Sequence, residues 1–446
     1  MNKRRISIIL IMAIIFKSIF LFACSPPDYI TIKGIEYSTN LTELRFTVMD
    51  SLGPGPTFGL TNSDIKPLRY MTNLRILDLQ INEISDISVL SRLINLEWLH
   101  LCGNQINDIS ALSGLTNLMY LHSNNNQISD ITPLSELTNL EWLFLRGNLI
   151  NDISPLSGLA NLRRLHLSNN LISDISPLSG LTNLNWLSLE RNQISDISSL
   201  SRLSLDLELN LSHNNISDIS PLRTIIGLRI LNLSNNETSD LNPLSQLINI
   251  RSMDLSNNII SDLNGLRGMT IPVLRLSNNQ ISDISPLSEI IINVSGWHKR
   301  WDLSYNNISD ITALSEHTAL ENLNLSNNNI GDITALSELT GLRDLNLSNN
   351  NISDITALNK LINLMWLDLS NNEISDISPL FDWLDQFELL AFKKQPDQRY
   401  TINTLVTFKP LCFGPPPNSI DLSGNPISEE QIEKLRIALP EWRIVF

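Results

Sequence analysis

The chain has 446 residues, 42% of them hydrophobic and 17% charged, and a formal net charge of −15. That balance excludes binding along a phosphate backbone, which needs clustered Lys and Arg. Three cysteines, at 24, 102 and 412, exclude a disulfide-built scaffold and leave stability to packing.

Residues 1–23 place Lys3, Arg4 and Arg5 before an apolar run that ends at Ala23, the layout of a secretory signal peptide. Leu21-Phe22-Ala23-Cys24 resembles a bacterial lipobox, which implies lipid attachment at Cys24 after cleavage. An uncleaved signal anchor is the alternative. Either one predicts an extracytoplasmic, membrane-anchored chain at a bacterial surface, or a secreted one. Cleavage removes four cations and no acid, taking −15 to −19.

Residues 24–59 follow as the lipid-attachment Cys, a short linker, a first degenerate coil "GIEYSTNLTELRF" (34–46) and a Gly/Pro loop (50–59). Residues 60–381 then repeat a unit close to L-T-N-L-x-x-L-x-L-S-x-N-x-I-S-D-I-S-P-L-S-x. Its marker Asn falls every 22 residues from Asn82 to Asn258, then at 279, 306, 328, 350, 372 and 425. The irregular spacings mark a deletion, a short insertion (290–298) and a long one (382–418). Length alone predicts two or three domains, but repetition replaces that prior with a stacked array.

Each letter has a physical reading. In L-x-L, as in Leu77-Asp78-Leu79, alternation turns both leucines inward and predicts a short half-buried strand. Stacked copies predict a parallel sheet with strands about 4.8 Å apart. The marker Asn turns the chain inward, and its buried amide needs partners on adjacent coils. An Asp recurs from Asp64 to Asp376, where its carboxylate suits capping of a short turn; a calcium ladder is the sharper alternative. No coil buries its leucines alone, so the array is stable only as a stack.

This unit resembles the 22-residue leucine-rich repeat of the internalin family over residues 30–380 and a terminal coil. The resemblance implies an α/β solenoid: a right-handed curved horseshoe with a concave parallel sheet and convex short 3-10 turns or loops. It also implies recognition of a protein on the concave sheet. No L-P-x-T-G sorting signal with an apolar tail occurs. Residues 382–418, with "FGPPP", read as an extended excursion. Residues 419–446 read as a terminal repeat with a helix-strand cap. Within it, Ser428 and Gln431 have capping-box spacing, Ile432, Leu435 and Leu439 share one face, and "EWRIVF" forms a closing strand.

Three side chains per coil face outward from the strand. In most coils they are bland, as in Asn324 or Ser348, but early coils differ. They present Trp98, His100 and Cys102; Tyr120, His122 and Asn124; Trp142, Phe144 and Arg146; Arg164 and His166; then Trp186 and Glu190. Exposed aromatic stripes mark interaction sites, and Trp, Tyr and Arg dominate interface hot spots. These residues predict a non-catalytic protein-binding face. Rings that merely stack on one another and shield the sheet are the competing structural reading. A carbohydrate or cell-envelope glycan stacked on the same rings, and a self-associating spacer with an uncapped first coil, are the alternatives. Metal binding by His100, His122 and Cys102 lacks any metal-ligand spacing, and no catalytic motif occurs. No cofactor, metal or nucleic acid is expected.

Overall fold

The computed structural model describes residues 27–46, 49–50, 53–54, 59–381 and 419–446, apart from positions 204, 207, 293, 297, 440 and 441. The signal segment, Cys24, Cys412 and the 382–418 excursion lie outside the described residues. Two compact units divide the chain, residues 1–172 and 173–446.

The first unit opens with an antiparallel hairpin, β1 (Tyr29–Ile32) and β2 (Ile35–Ser38). The Lys33-Gly34 turn between them adopts positive φ at both residues, the geometry of a tight hairpin turn. Ile30 and Ile32 turn inward and are buried, and Tyr37 meets Phe46 edge-on at 5.6 Å. Within residues 34–46, β2 belongs to this hairpin, while β3 (Glu43–Arg45) pairs in parallel with the next repeat strand, so the hairpin precedes the first strand of the repeat sheet. In the Gly/Pro loop β4 (Met49–Asp50) pairs with β5 (Gly53–Pro54).

Beyond that loop the repeat takes over. β6 (Ile76–Asp78), β7 (Trp98–His100), β8 (Tyr120–His122), β9 (Trp142–Phe144) and β10 (Arg164–His166) continue from β3 as a parallel sheet in chain order. From β6 to β10 the register pairs residues 22 positions apart, so equivalent letters form columns across this sheet. The leucines of L-x-L, such as Leu99, Leu101, Leu143 and Leu145, are completely buried. Opposite the sheet lie short 3-10 helices, among them Thr132–Leu134 and Ser154–Leu156. Their Pro sits in the first turn, where a missing N–H costs nothing.

Two recurring polar devices hold the coils. The Asn126 side-chain amide donates to the carbonyls of Leu101 (2.9 Å) and Ser123 (3.2 Å), while its oxygen accepts the Ile106 N–H (3.0 Å). One amide thus ties its own coil to the previous one, as the buried marker requires. The recurring Asp accepts an N–H two residues on, as Asp130 does from Thr132 at 2.8 Å and Asp152 from Ser154 at 2.8 Å. Asp64 departs from this, closing a capping box with Thr61 and pairing with Lys33 at 3.2 Å.

A further rule is not evident from the marker alone. The residue just before each marker takes positive φ, as at Gly103, Asn125, Gly147 and Asn169. Gly and Asn tolerate that conformation, whereas Ile81 at φ 55 is β-branched and strained there.

The second unit repeats the plan in eleven strands: β11 (Trp186–Ser188), β12 (Glu208–Asn210), β13 (Ile230–Asn232), β14 (Ser252–Asp254), β15 (Val273–Arg275), β16 (Arg300–Asp302), β17 (Asn322–Asn324), β18 (Asp344–Asn346), β19 (Trp366–Asp368), β20 (Ser419–Asp421) and β21 (Arg443–Val445). Neighbours in this order pair in parallel. The expected helix spans Glu429–Ala438, with Leu435 and Leu439 buried and Ile432 half-buried on its inner face. Only half of its capping box forms: Ser428 accepts the Gln431 N–H, but the Gln431 side chain donates to Asp376 instead. Each unit is a leucine-rich-repeat solenoid with a parallel sheet and short 3-10 turns, the fold class expected from the repeat.

Candidate binding surface

Alternation along β7–β10 decides which side chains can meet a ligand. Leu99, Leu121, Leu143 and Leu165 point into the core, so the flanking letters must point out of the sheet. Register then places Trp98, Tyr120, Trp142 and Arg164 in one column and His100, His122, Phe144 and His166 in the next.

These side chains touch across the strands. Trp98 stacks on Tyr120 at 4.7 Å with 14° between the rings, and meets Trp142 edge-on at 6.0 Å. Tyr120 lies 4.8 Å from His100 and 5.6 Å from Phe144. His122 meets Phe144 at 5.5 Å, and Phe144 meets His166 at 6.3 Å. The Arg164 guanidinium lies over the Trp142 ring at 4.8 Å. All of these residues are half-buried, while Arg146 is exposed. The rings therefore shield one another and still present a continuous surface. Cys102 is a half-buried free thiol at the border.

Electrostatics here are those of a partly dry surface. Burial pushes His122 down to about 4, with His100 beside it adding to the fall and the Asp78 carboxylate opposing it. Burial also lowers His100, against Asp78 and with help from Arg45. The Cys102 thiol and the Tyr120 hydroxyl are pushed up, again first by burial. Both histidines are thus neutral near pH 7, and the surface is aromatic rather than cationic at its centre.

Asp78 is a residue that pattern reasoning passed over. It faces the same surface from β6, in register with His100, yet is almost completely buried. Its oxygens accept the Gln80 N–H at 3.0 Å and the Gln80 side-chain amide at 3.2 Å. An Asp in L-D-L is a common repeat letter, so only its burial distinguishes it.

The remaining candidates, Trp186 and Glu190, belong to the second unit. The Trp186 indole donates to Glu208 at 2.7 Å, and Glu190 pairs with Arg191 at 3.2 Å. Among the described residues no three His, Cys, Asp or Glu side chains converge as a metal site requires, and no helix is long and apolar enough to cross a membrane.

Comparison with known proteins adds the following. The family model "Leucine Rich repeats (2 copies)" matches residues 94–136, 138–180 and 160–202, and "Leucine Rich Repeat" matches 319–339, 341–361 and 363–384. No curated protein matches significantly. Among solved structures, an internalin (InlF) from Listeria monocytogenes str. 4b F2365 is 35% identical, over 68% of this chain and 83% of that one, with a TM-score of 0.57. A leucine-rich-repeat protein of Leptospira interrogans is 21% identical over 87% of this chain and 100% of that one, with a TM-score of 0.66. The functional domain of InlJ from Listeria monocytogenes is 22% identical over 78% and 72%, with a TM-score of 0.59. At those lower identities the likeness is one of fold.

Proposed function

Because this chain belongs to the internalin-like family of bacterial leucine-rich-repeat proteins, we propose that it is a non-catalytic, surface-exposed protein that captures a protein ligand. Capture occurs on the sheet face of the first unit, through Trp98, Tyr120, Trp142, Phe144 and Arg164. The observation that carries this reading is the unbroken run of ring contacts from Trp98 to His166, half-buried and outside the core. A surface held by strands and by mutual ring packing loses little conformational entropy on binding. Such preorganised aromatic anchors, with an Arg among them, are what interface hot spots are made of.

The test is capture by the full chain and by a Trp98→Ser/Trp142→Ser variant, with unfolding of both followed by circular dichroism. Capture lost in a variant that still folds supports the reading. Capture unaltered in that variant overturns it. A cell-envelope glycan is the second reading, favoured by His100, His122 and Asn124 beside the rings. Ring packing weakens it, since Tyr120 covers one face of Trp98 and Arg164 covers one of Trp142. Surface attachment through Cys24 belongs to the same proposal. It rests on the basic-apolar-Cys order of the first 24 residues, and loss of lipid labelling in a Cys24→Ala chain tests it.

A further inference from the structure

We propose that the surface around Trp142 takes an acidic segment of its partner protein, one that brings a carboxylate beside an apolar side chain. This rests on the protein-binding reading above and specifies the chemistry of its ligand.

The sheet face of the first unit carries few charges. Glu43 and Arg45 pair with each other at 2.5 Å, and Asp78 is buried against Gln80. Arg146 and Arg164 remain. Among the described residues neither has a carboxylate within ion-pair distance, although carboxylates stand close by in sequence. Glu97 and Glu141 directly precede Trp98 and Trp142, yet they pair with Arg75 at 2.7 Å and Arg163 at 3.5 Å. The rim is neutralised and the face is not.

Geometry adds a second observation. Arg164 is stacked on Trp142, which occupies the flat side of its guanidinium. A stacked guanidinium keeps its in-plane N–H donors for a planar acceptor, and its stacking removes part of the rotamer entropy that pairing would otherwise cost. Carboxylate is the planar acceptor that proteins present. The half-buried rings of Tyr120, Trp142 and Phe144 lie next to it and supply the apolar half of the site. Arg146 is exposed just beyond the end of β9, and its long-range field favours acidic partners.

The sheet face of the second unit is richer in carboxylates, although Arg300 is exposed there as well. Asp254, Asp302, Asp368 and Asp421 each accept the N–H of a Ser two residues on, and Arg275 is paired with Asp254 at 3.7 Å. A surface of that composition repels an acidic segment. Selectivity for such a ligand therefore lies in Arg146 and Arg164.

Selection from a random peptide display library on the full chain tests this, run in parallel on the wild type, on Trp142→Ser and on Arg146→Gln/Arg164→Gln. The expected result is a set of peptides, lost with Trp142→Ser, in which Asp or Glu is enriched next to an aromatic or aliphatic residue. The arginine variant should lose that acidic enrichment and bind individual selected peptides about tenfold more weakly, with wild-type affinity falling as salt rises. Trp142-dependent peptides without acidic enrichment overturn this inference and leave the protein-binding reading intact. The absence of any Trp142-dependent peptide overturns both. An anionic polysaccharide that binds through the two arginines, with no acidic peptides selected, also overturns it in favour of a glycan.

Discussion

Trp301 and His317 meet edge-on at 4.7 Å inside the second unit, at positions where equivalent coils carry aliphatic residues. Trp301 is fully buried and donates its indole N–H to Ile271, while His317 donates from Nε2 to the Leu287 carbonyl at 2.9 Å. The pair lies where the repeat spacing lengthens, so the two polar-tipped rings fill a core that the regular coil fills with aliphatic side chains. Burial lowers the His317 pKa, opposed by its bond to Leu287 and by Glu316. A base whose folded pKa lies below its unfolded value of about 6.5 stabilises the fold above that pH. That stability is lost as pH falls. The thermal midpoint should therefore drop between pH 7.5 and 5, and a His317→Leu variant should show a smaller drop. Equal pH dependence in the two proteins would contradict this.

Ile81 holds a backbone position that otherwise falls mostly to Gly or Asn, and its side chain is partly exposed. Ile81→Asn should relieve the left-handed strain while losing little packing. An increase of about 1 kcal/mol in unfolding free energy is expected from denaturant titration. A decrease would mean that the exposed isoleucine packs more than its exposure implies.

The marker ladder predicts a larger loss. Asn148 donates to Ser123 at 3.0 Å and Leu145 at 2.9 Å and accepts from Ile128 at 3.0 Å. Asn148→Ala leaves the Ile128 N–H buried without a partner, while the Ser123 and Leu145 carbonyls keep the Asn126 and Asn170 amides as donors, at a cost of about 2 kcal/mol. Asn124→Ala, by contrast, removes one acceptor for the Arg146 N–H at an exposed edge. It should cost less than 1.5 kcal/mol. Urea unfolding of both variants compares them directly.

Acid should act on the candidate surface through His122. Its pKa of about 4 in the folded chain lies below the unfolded value, so the neutral ring is preferred down to that pH. Ligand capture should be flat from pH 8 to pH 5.5 and fall as pH approaches 4, with nuclear magnetic resonance showing the imidazole titrating there. A titration near 6.5 would show that the rings around it admit water freely.

The aromatic cluster also contributes to stability, because its rings are half-buried. Trp142→Ser removes contacts with Trp98, Tyr120 and Arg164. It should lower the unfolding free energy by about 1–2 kcal/mol while leaving the chain folded at 25 °C. A variant that fails to fold would move Trp142 from the surface to the core.

Most of the fold could be read from individual letters. Leu77 and Leu79 announce a strand by alternation, Asn82 announces the inward turn, and Asp86 announces the capped 3-10 helix, because each works through neighbours a few residues away. The site was legible as a column of letters, Trp98, Tyr120 and Trp142, but not as a packed object. Stacking of Trp98 on Tyr120 depends on side-chain angles that a spacing of 22 does not specify. The hairpin at Tyr29–Ser38 was hidden because its first strand lies before the repeat begins and its second overlaps the stretch that reads as the first coil.

The 22-residue repeat by itself determined which side chains leave the sheet, since inward leucines force every alternate residue outward, and its resemblance to a known family implied the fold of each unit. Only the tertiary structure decided that Asp78 is buried, that Arg164 lies on Trp142, and that the neighbouring carboxylates pair with other arginines. Those outcomes depend on competition among side chains brought together from different coils, and sequence distance carries no record of which partner wins.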